Sequence, residues 1–70
     1  MIRSGTRVNW KWGSGYGHGK VKETFTTSVT RTIKGTEVTR DGSDDDKALL
    51  IEQDTGDQLL KLESEVDRDD

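Results

Sequence analysis

Residues 8–21, VNWKWGSGYGHGKV, decide the fold, because an aromatic segment runs here into alternating glycines and then into a second β-prone segment. The stretch holds three of the chain's four aromatic residues, its single histidine and four of its eight glycines. Apolar and polar residues alternate over residues 6–12, which is the period of a half-buried strand. Alternate glycines favour turns or close backbone approach over a regular pleat. The sequence therefore predicts a loop over residues 13–19 and a new strand over residues 20–26.

The rest of the chain carries short β-prone segments separated by turn signals. Lys34-Gly35 reads as a turn between the segments 26–33 and 36–40, and Asp54-Thr55-Gly56-Asp57 reads as a hairpin turn before a last strand over 58–62. The apolar run 48–51 is typical of a central strand covered on both faces, with a short helix as the alternative. Five or six short strands predict an all-β domain closed into a small barrel, because a flat sheet would leave its edges unprotected.

The length and composition of the chain limit it to one thin-cored domain. Val, Leu, Ile and Phe supply only 14 of 70 residues, so Trp10 and Trp12 must provide much of the buried surface. We expect a single domain over residues 1–66 and a disordered acidic tail over residues 67–70. The absence of cysteine excludes a disulfide framework and thiolate metal sites. The chain also lacks a secretory leader and an apolar stretch long enough to cross a bilayer, so we expect a cytoplasmic protein without membrane contact.

The net charge of −3 conceals a strong polarity along the chain. Residues 1–40 carry eight Lys/Arg and two Asp/Glu, a net +6, whereas residues 41–70 carry three Lys/Arg and twelve Asp/Glu, a net −9. One interpretation is that basic strands of the first half pair with acidic strands of the second. The other is that an open basic face attracts an anionic partner such as nucleic acid.

Six short motifs follow one another in a characteristic order. They are GTRVNW at residues 5–10, the glycine loop leading into residues 19–21, Ile33-Lys34-Gly35, the acidic residues 44–46, Asp54-Thr55-Gly56, and Lys61 followed by residues 64–66. Their order and spacing over residues 5–66 resemble the hypervirulence-associated protein Tudor domain family. The resemblance implies an SH3-like, Tudor-type barrel of about five antiparallel strands and no enzymatic activity, and it supplies no ligand. The chain departs from the family in lacking a proline before the central strand, where Lys47 stands instead.

The aromatic residues of the first hairpin are the leading candidates for a binding site. Tudor barrels of other families hold methylated lysine or arginine between aromatic faces by cation–π attraction, and Trp12, Tyr16 and Phe25 offer walls for such a cage. The simpler interpretation assigns Trp10 to the core, Trp12 to the core or its rim, and Tyr16 to an ordinary loop. We expect the rim formed by the glycine loop, Trp12 and Tyr16 to contact a protein partner whose identity the sequence does not reveal.

Weak nucleic-acid binding by the basic first half is the alternative function. Lys11, Lys20 and Lys22 stand close in sequence to Trp12 and Tyr16, which combines positive charge with stacking surfaces. The candidate ligand-binding residues from both hypotheses are Trp12, Tyr16, His18, Lys20 and Lys22.

Other chemistries lack the residues that they need. The glycine loop leads into a strand rather than a helix N-terminus, which argues against a nucleotide or other cofactor. His18 has no second histidine or cysteine with which to share a metal, and the aspartates of the acidic loop lack the calcium-loop pattern. A barrel of this size offers little concavity for catalysis. In solution we expect a monomer or, because the core is thin, a homodimer formed by strand exchange.

Overall fold

In the computed structural model, which describes residues 2–69, the first hairpin joins β1 (Arg7–Trp12) directly to β2 (Gly15–Phe25). The predicted strand over residues 6–12 is confirmed. The predicted loop over residues 13–19 is wrong, because β2 begins at Gly15 and only two residues form the turn between the strands. The prediction of a loop rests on the poor strand propensity of glycine. A glycine within a strand also leaves room for a neighbouring side chain to pack against its backbone.

Two of the three glycines of β2 lie directly against atoms of neighbouring strands. Gly17 pairs with Trp10, and Gly19 pairs with Val8. A Cβ atom at Gly17 would lie 2.5 Å from Cε2 and Nε1 of Trp10, so the indole ring lies directly against the glycine backbone. A Cβ atom at Gly19 would lie 2.6 Å from the backbone oxygen of Glu52. Gly17 and Gly19 therefore allow close packing inside a strand.

Within residues 2–69, six further elements follow, of which the first four match the sequence prediction closely. They are β3 (Ser28–Ile33), β4 (Thr36–Asp41), β5 (Ala48–Gln53), β6 (Gln58–Leu62), a 3₁₀ turn (Glu63–Glu65) and β7 (Asp67–Arg68). The turn between β3 and β4 has φ of 51° at Lys34 and 79° at Gly35, as a two-residue turn with both central residues left-handed requires. Gly56 takes a φ of 97° in the turn between β5 and β6. In the part of the chain that the structure describes, no helix is long and apolar enough to span a membrane.

Two antiparallel sheets make up the domain. The larger has the strand order β6-β5-β2-β1-β7, and the smaller is the β3–β4 hairpin. The hairpin packs against β6, and this arrangement confirms the all-β prediction of a small SH3-like barrel. Residues 48–51 lie in β5, as the strand interpretation predicts, and the helix alternative is excluded.

Both faces of β5 are buried. On one face, Leu49 and Ile51 join the first core cluster, which also contains Val8, Trp10, Val21 and Val66. On the other face, Ala48 and Leu50 join the second cluster, with Val29 and Leu60. The continuous apolar run of the sequence is explained by this position, because each of its four side chains meets a hydrophobic layer.

The end of the chain differs from the expected disordered tail over residues 67–70. Asp67 and Arg68 form β7, which pairs with Asn9 and Val8 of β1, and the Asp69 amide donates to the Arg7 carbonyl at 2.9 Å. The pairing has a local cause: the buried Val66 holds the chain against the core beside the free edge of β1. Met1 and Asp70, which the predicted domain and tail include, lie outside the described residues.

Candidate functional site

The ladder between β1 and β2 separates the two exposed aromatic residues of the predicted rim. Trp12 is 74% exposed and Tyr16 is 64% exposed. Trp12 shares a strand face with the buried Val8 and Trp10, whereas Tyr16 lies across from Lys11 on the opposite face. The predicted rim is therefore two surfaces, one on each side of the hairpin.

An aromatic cage from Trp12, Tyr16 and Phe25 is not assembled. Phe25 packs against the second core cluster, and the guanidinium carbon of Arg31 lies 5.2 Å from its ring centroid. Phe25 already has a cation over its ring, while Trp12 and Tyr16 point away from each other.

The outer face of the hairpin carries the other candidate residues together with Tyr16. His18 Nδ1 lies 3.1 Å from Asp69 Oδ2, and Lys22 Nζ lies 3.8 Å from Glu52 Oε1. Lys20 shares this face and has no carboxylate partner within residues 2–69, and the same is true of Lys11. The acidic second half of the chain thus neutralises part of the basic face and leaves two lysines on it, Lys11 across from Tyr16 and Lys20 four residues further along β2.

The inner face opens into a groove that Trp10 and Trp12 line. The groove has a volume of about 480 Å³ and lies between the first hairpin, the β3–β4 hairpin and β6. Its opposite walls include the apolar side chains of Ile33, Val38 and Leu59. Apolar clefts of roughly 300–1,000 Å³ are the usual size of ligand sites in proteins. Of the predicted site residues, only Trp12 lines this groove.

Positive charges outnumber negative ones around the groove. Lys34 Nζ lies 3.2 Å from Asp57 Oδ2, and both residues line the groove. Arg40 also lines it, with its Nε 3.3 Å from Glu65 Oε1. A third cation, Lys61, has no ionic partner among the described residues. The mouth of the groove can therefore accept negative charge.

Sequence reasoning missed most of the groove. Ile33, Val38, Leu59 and Lys61 come from segments far from the first hairpin, and the motifs that contain Ile33 and Lys61 do not indicate a groove. Alternation identifies which side chains of a strand point inward. Which inward-facing side chains remain uncovered depends on how the β3–β4 hairpin packs against β6, and no local pattern encodes that packing.

One comparison with known proteins bears on the whole chain. The family model described as "Hypervirulence associated proteins TUDOR domain" matches residues 5–66. Neither a curated protein nor a solved structure matches the chain. The matched range includes every strand from β1 to β6, and therefore all the walls of the groove.

Proposed function

Because the chain belongs to the hypervirulence-associated Tudor domain family, whose Tudor-type fold is that of a small interaction module, we propose that it binds a segment of a partner protein in the groove beside Trp12. The binding is non-enzymatic. The observation that carries the proposal is the position of Trp12, which is 74% exposed at an apolar groove of about 480 Å³.

The energetics favour Trp12 as the principal contact. Tryptophan is enriched among the few interface residues that dominate binding energy, because it buries a large area with little loss of conformational freedom. A side chain of this kind buries about 150–250 Å² when it is covered. The neighbouring Trp10 is only 5% exposed and is held by the core, so it gives Trp12 a rigid base.

The proposal predicts different effects for the two exposed aromatic residues. The test starts from a displayed library of random peptides, from which those that bind the wild-type domain are selected. The affinity of each selected peptide for the wild type and for each variant is then measured by fluorescence anisotropy. Trp12→Ala should weaken binding at least tenfold, since loss of a central tryptophan commonly costs about 2 kcal/mol or more. Tyr16→Ala is the matched control, because Tyr16 is similarly exposed on the opposite face. Peptides that depend on Tyr16 and tolerate Trp12→Ala would contradict the proposal.

A second function is favoured by the outer face of the hairpin. Lys11 and Lys20 share the face of Tyr16 and have no carboxylate partners within residues 2–69, which suits weak binding of single-stranded nucleic acid by charge and stacking. A labelled oligonucleotide should bind at low ionic strength, and replacing each lysine by glutamine should reduce the log–log salt slope by about 0.7. Absence of binding even at low salt would exclude this function.

A further inference from the structure

One donor on the groove wall has no acceptor among the described residues. Nε1 of Trp10 makes no hydrogen bond with any residue in the range 2–69, although Trp10 is only 5% exposed. In the described part of the chain, no fully buried side-chain nitrogen lacks a hydrogen-bond partner. The Trp10 N–H must therefore reach solvent, and the groove is the surface that Trp10 lines. A nearly buried indole N–H in an apolar groove requires an acceptor whenever a ligand displaces water.

The charges around this donor determine which acceptor fits. Three cations, Lys34, Arg40 and Lys61, line the groove, and two of them are paired, Lys34 with Asp57 and Arg40 with Glu65. Lys61 has no ionic partner in the described chain, so its charge is available to a ligand. A hydrogen bond to an ionised acceptor is about twice as strong as one between neutral groups. A cationic ligand such as a methylated lysine would meet the uncompensated like charge of Lys61 here.

We propose that the groove recognises a carboxylate of the partner segment, which accepts the Trp10 indole N–H and lies near Lys61 while apolar neighbours in the segment cover Trp12. This inference rests on the proposed function and adds the chemistry of the partner. Charge complementarity selects the occupant: an acidic peptide with apolar residues beside its carboxylate. The carboxylate belongs either to an Asp or Glu side chain or to a chain terminus.

The indole signals of the labelled protein test this directly. The chain has two tryptophans, so its ¹H–¹⁵N spectrum contains two indole signals, which Trp12→Phe assigns. The probe is a peptide of alternating glutamate and valine, blocked at both ends. The control replaces each glutamate by glutamine, and a third peptide adds a free C-terminal carboxylate to that control. We expect the glutamate peptide to shift the Trp10 indole signal and the blocked glutamine peptide to leave it in place. The third peptide shows whether a terminal carboxylate suffices.

Charge variants separate specific recognition from general attraction. Lys61→Gln should weaken binding of the glutamate peptide about fivefold, because a partly exposed charge contact is lost. Lys20→Gln removes the same charge from the opposite face and should leave affinity unchanged. A Trp10 signal that ignores all three peptides would overturn the inference, as would equal effects of the two variants.

Two further outcomes identify another occupant. Equal binding of the glutamine peptide, still dependent on Trp12, would leave the proposed function standing and reject the carboxylate. A Trp10 signal that shifts with protein concentration alone, together with a mass above 7.8 kDa by light scattering, would make a second copy the occupant and reject the inference.

Discussion

Gly17 shows how a residue that weakens a strand in isolation can be essential to its packing. It lies in β2 directly across from Trp10, whose ring occupies the space that a Cβ atom would need. The sequence predicted Trp10 in the core from its alternation with Val8, and the structure confirms this. The pairing of Trp10 with Gly17 was not predictable, because strand register depends on where the turn falls.

Gly17→Ala should destabilise the domain through this contact. The added methyl group would lie 2.5 Å from two atoms of Trp10, so the ring or the strand must move. Overpacking of this kind lowers the free energy of unfolding by about 1–3 kcal/mol. Urea denaturation followed by tryptophan fluorescence measures the change.

Gly15→Ala is the matched control for this substitution. Gly15 lies in the same strand, and a Cβ atom there would meet nothing within 4 Å. Its effect on the free energy of unfolding should stay within about 0.5 kcal/mol. Equal destabilisation by both variants would mean that strand propensity, rather than contact with Trp10, is the reason for glycine at position 17.

At the scale of elements, the acidic loop between β4 and β5 is more ordered than its charge suggests. The sequence predicts a solvated, self-repelling segment, but Asp46 binds the 3₁₀ turn. Its Oδ1 accepts from the Ser64 amide at 2.9 Å, and its Oδ2 accepts from the Ser64 hydroxyl at 2.8 Å. Two more hydrogen bonds join Lys47 and Glu63: the Lys47 amide donates to Glu63 Oε1, and the Glu63 amide donates to the Lys47 carbonyl. A local run of aspartates does not indicate hydrogen bonds to a residue 18 positions further along the chain.

Asp46→Ala should therefore destabilise the domain while Asp45→Ala should not. Each substitution removes one charge from the same cluster, but only Asp46 accepts hydrogen bonds from Ser64. We expect Asp46→Ala to lower the free energy of unfolding by about 1–2 kcal/mol, since hydrogen bonds to charged groups contribute about 1.5–3 kcal/mol each and this site is partly exposed. Thermal denaturation measures the difference. Matching changes for the two variants would show that the loop acts only through its charge.

At the scale of the whole molecule, the charge polarity of the sequence is resolved by pairing between its halves. Within residues 2–69, four ion pairs join a base of the first forty residues to an acid of the last thirty: Arg7–Asp54, Lys22–Glu52, Lys34–Asp57 and Arg40–Glu65. These pairs support the pairing interpretation of the sequence, although only Lys22 and Glu52 lie on strands that pair with each other. Exposed pairs of this kind contribute only about 0–1 kcal/mol each, so they add little to the stability of the domain.

The fold was more predictable than the site because strands and turns are marked locally and a groove is not. Turn residues such as Lys34 and Gly56 are in the predicted places. The groove needs Trp12 from the first hairpin and Val38 and Leu59 from later strands, so it exists only after the sheets have packed.

The most direct test of the central claim is a map of amide shifts in the ¹H–¹⁵N spectrum of the domain, titrated with a peptide selected on it. We predict that the shifts will fall on the groove, at Trp12, Val38 and Leu59 and in the turn that contains Lys34. The outer face at Lys11, His18 and Lys20 should remain unchanged. Shifts confined to that outer face, with the groove unaffected, would contradict the account.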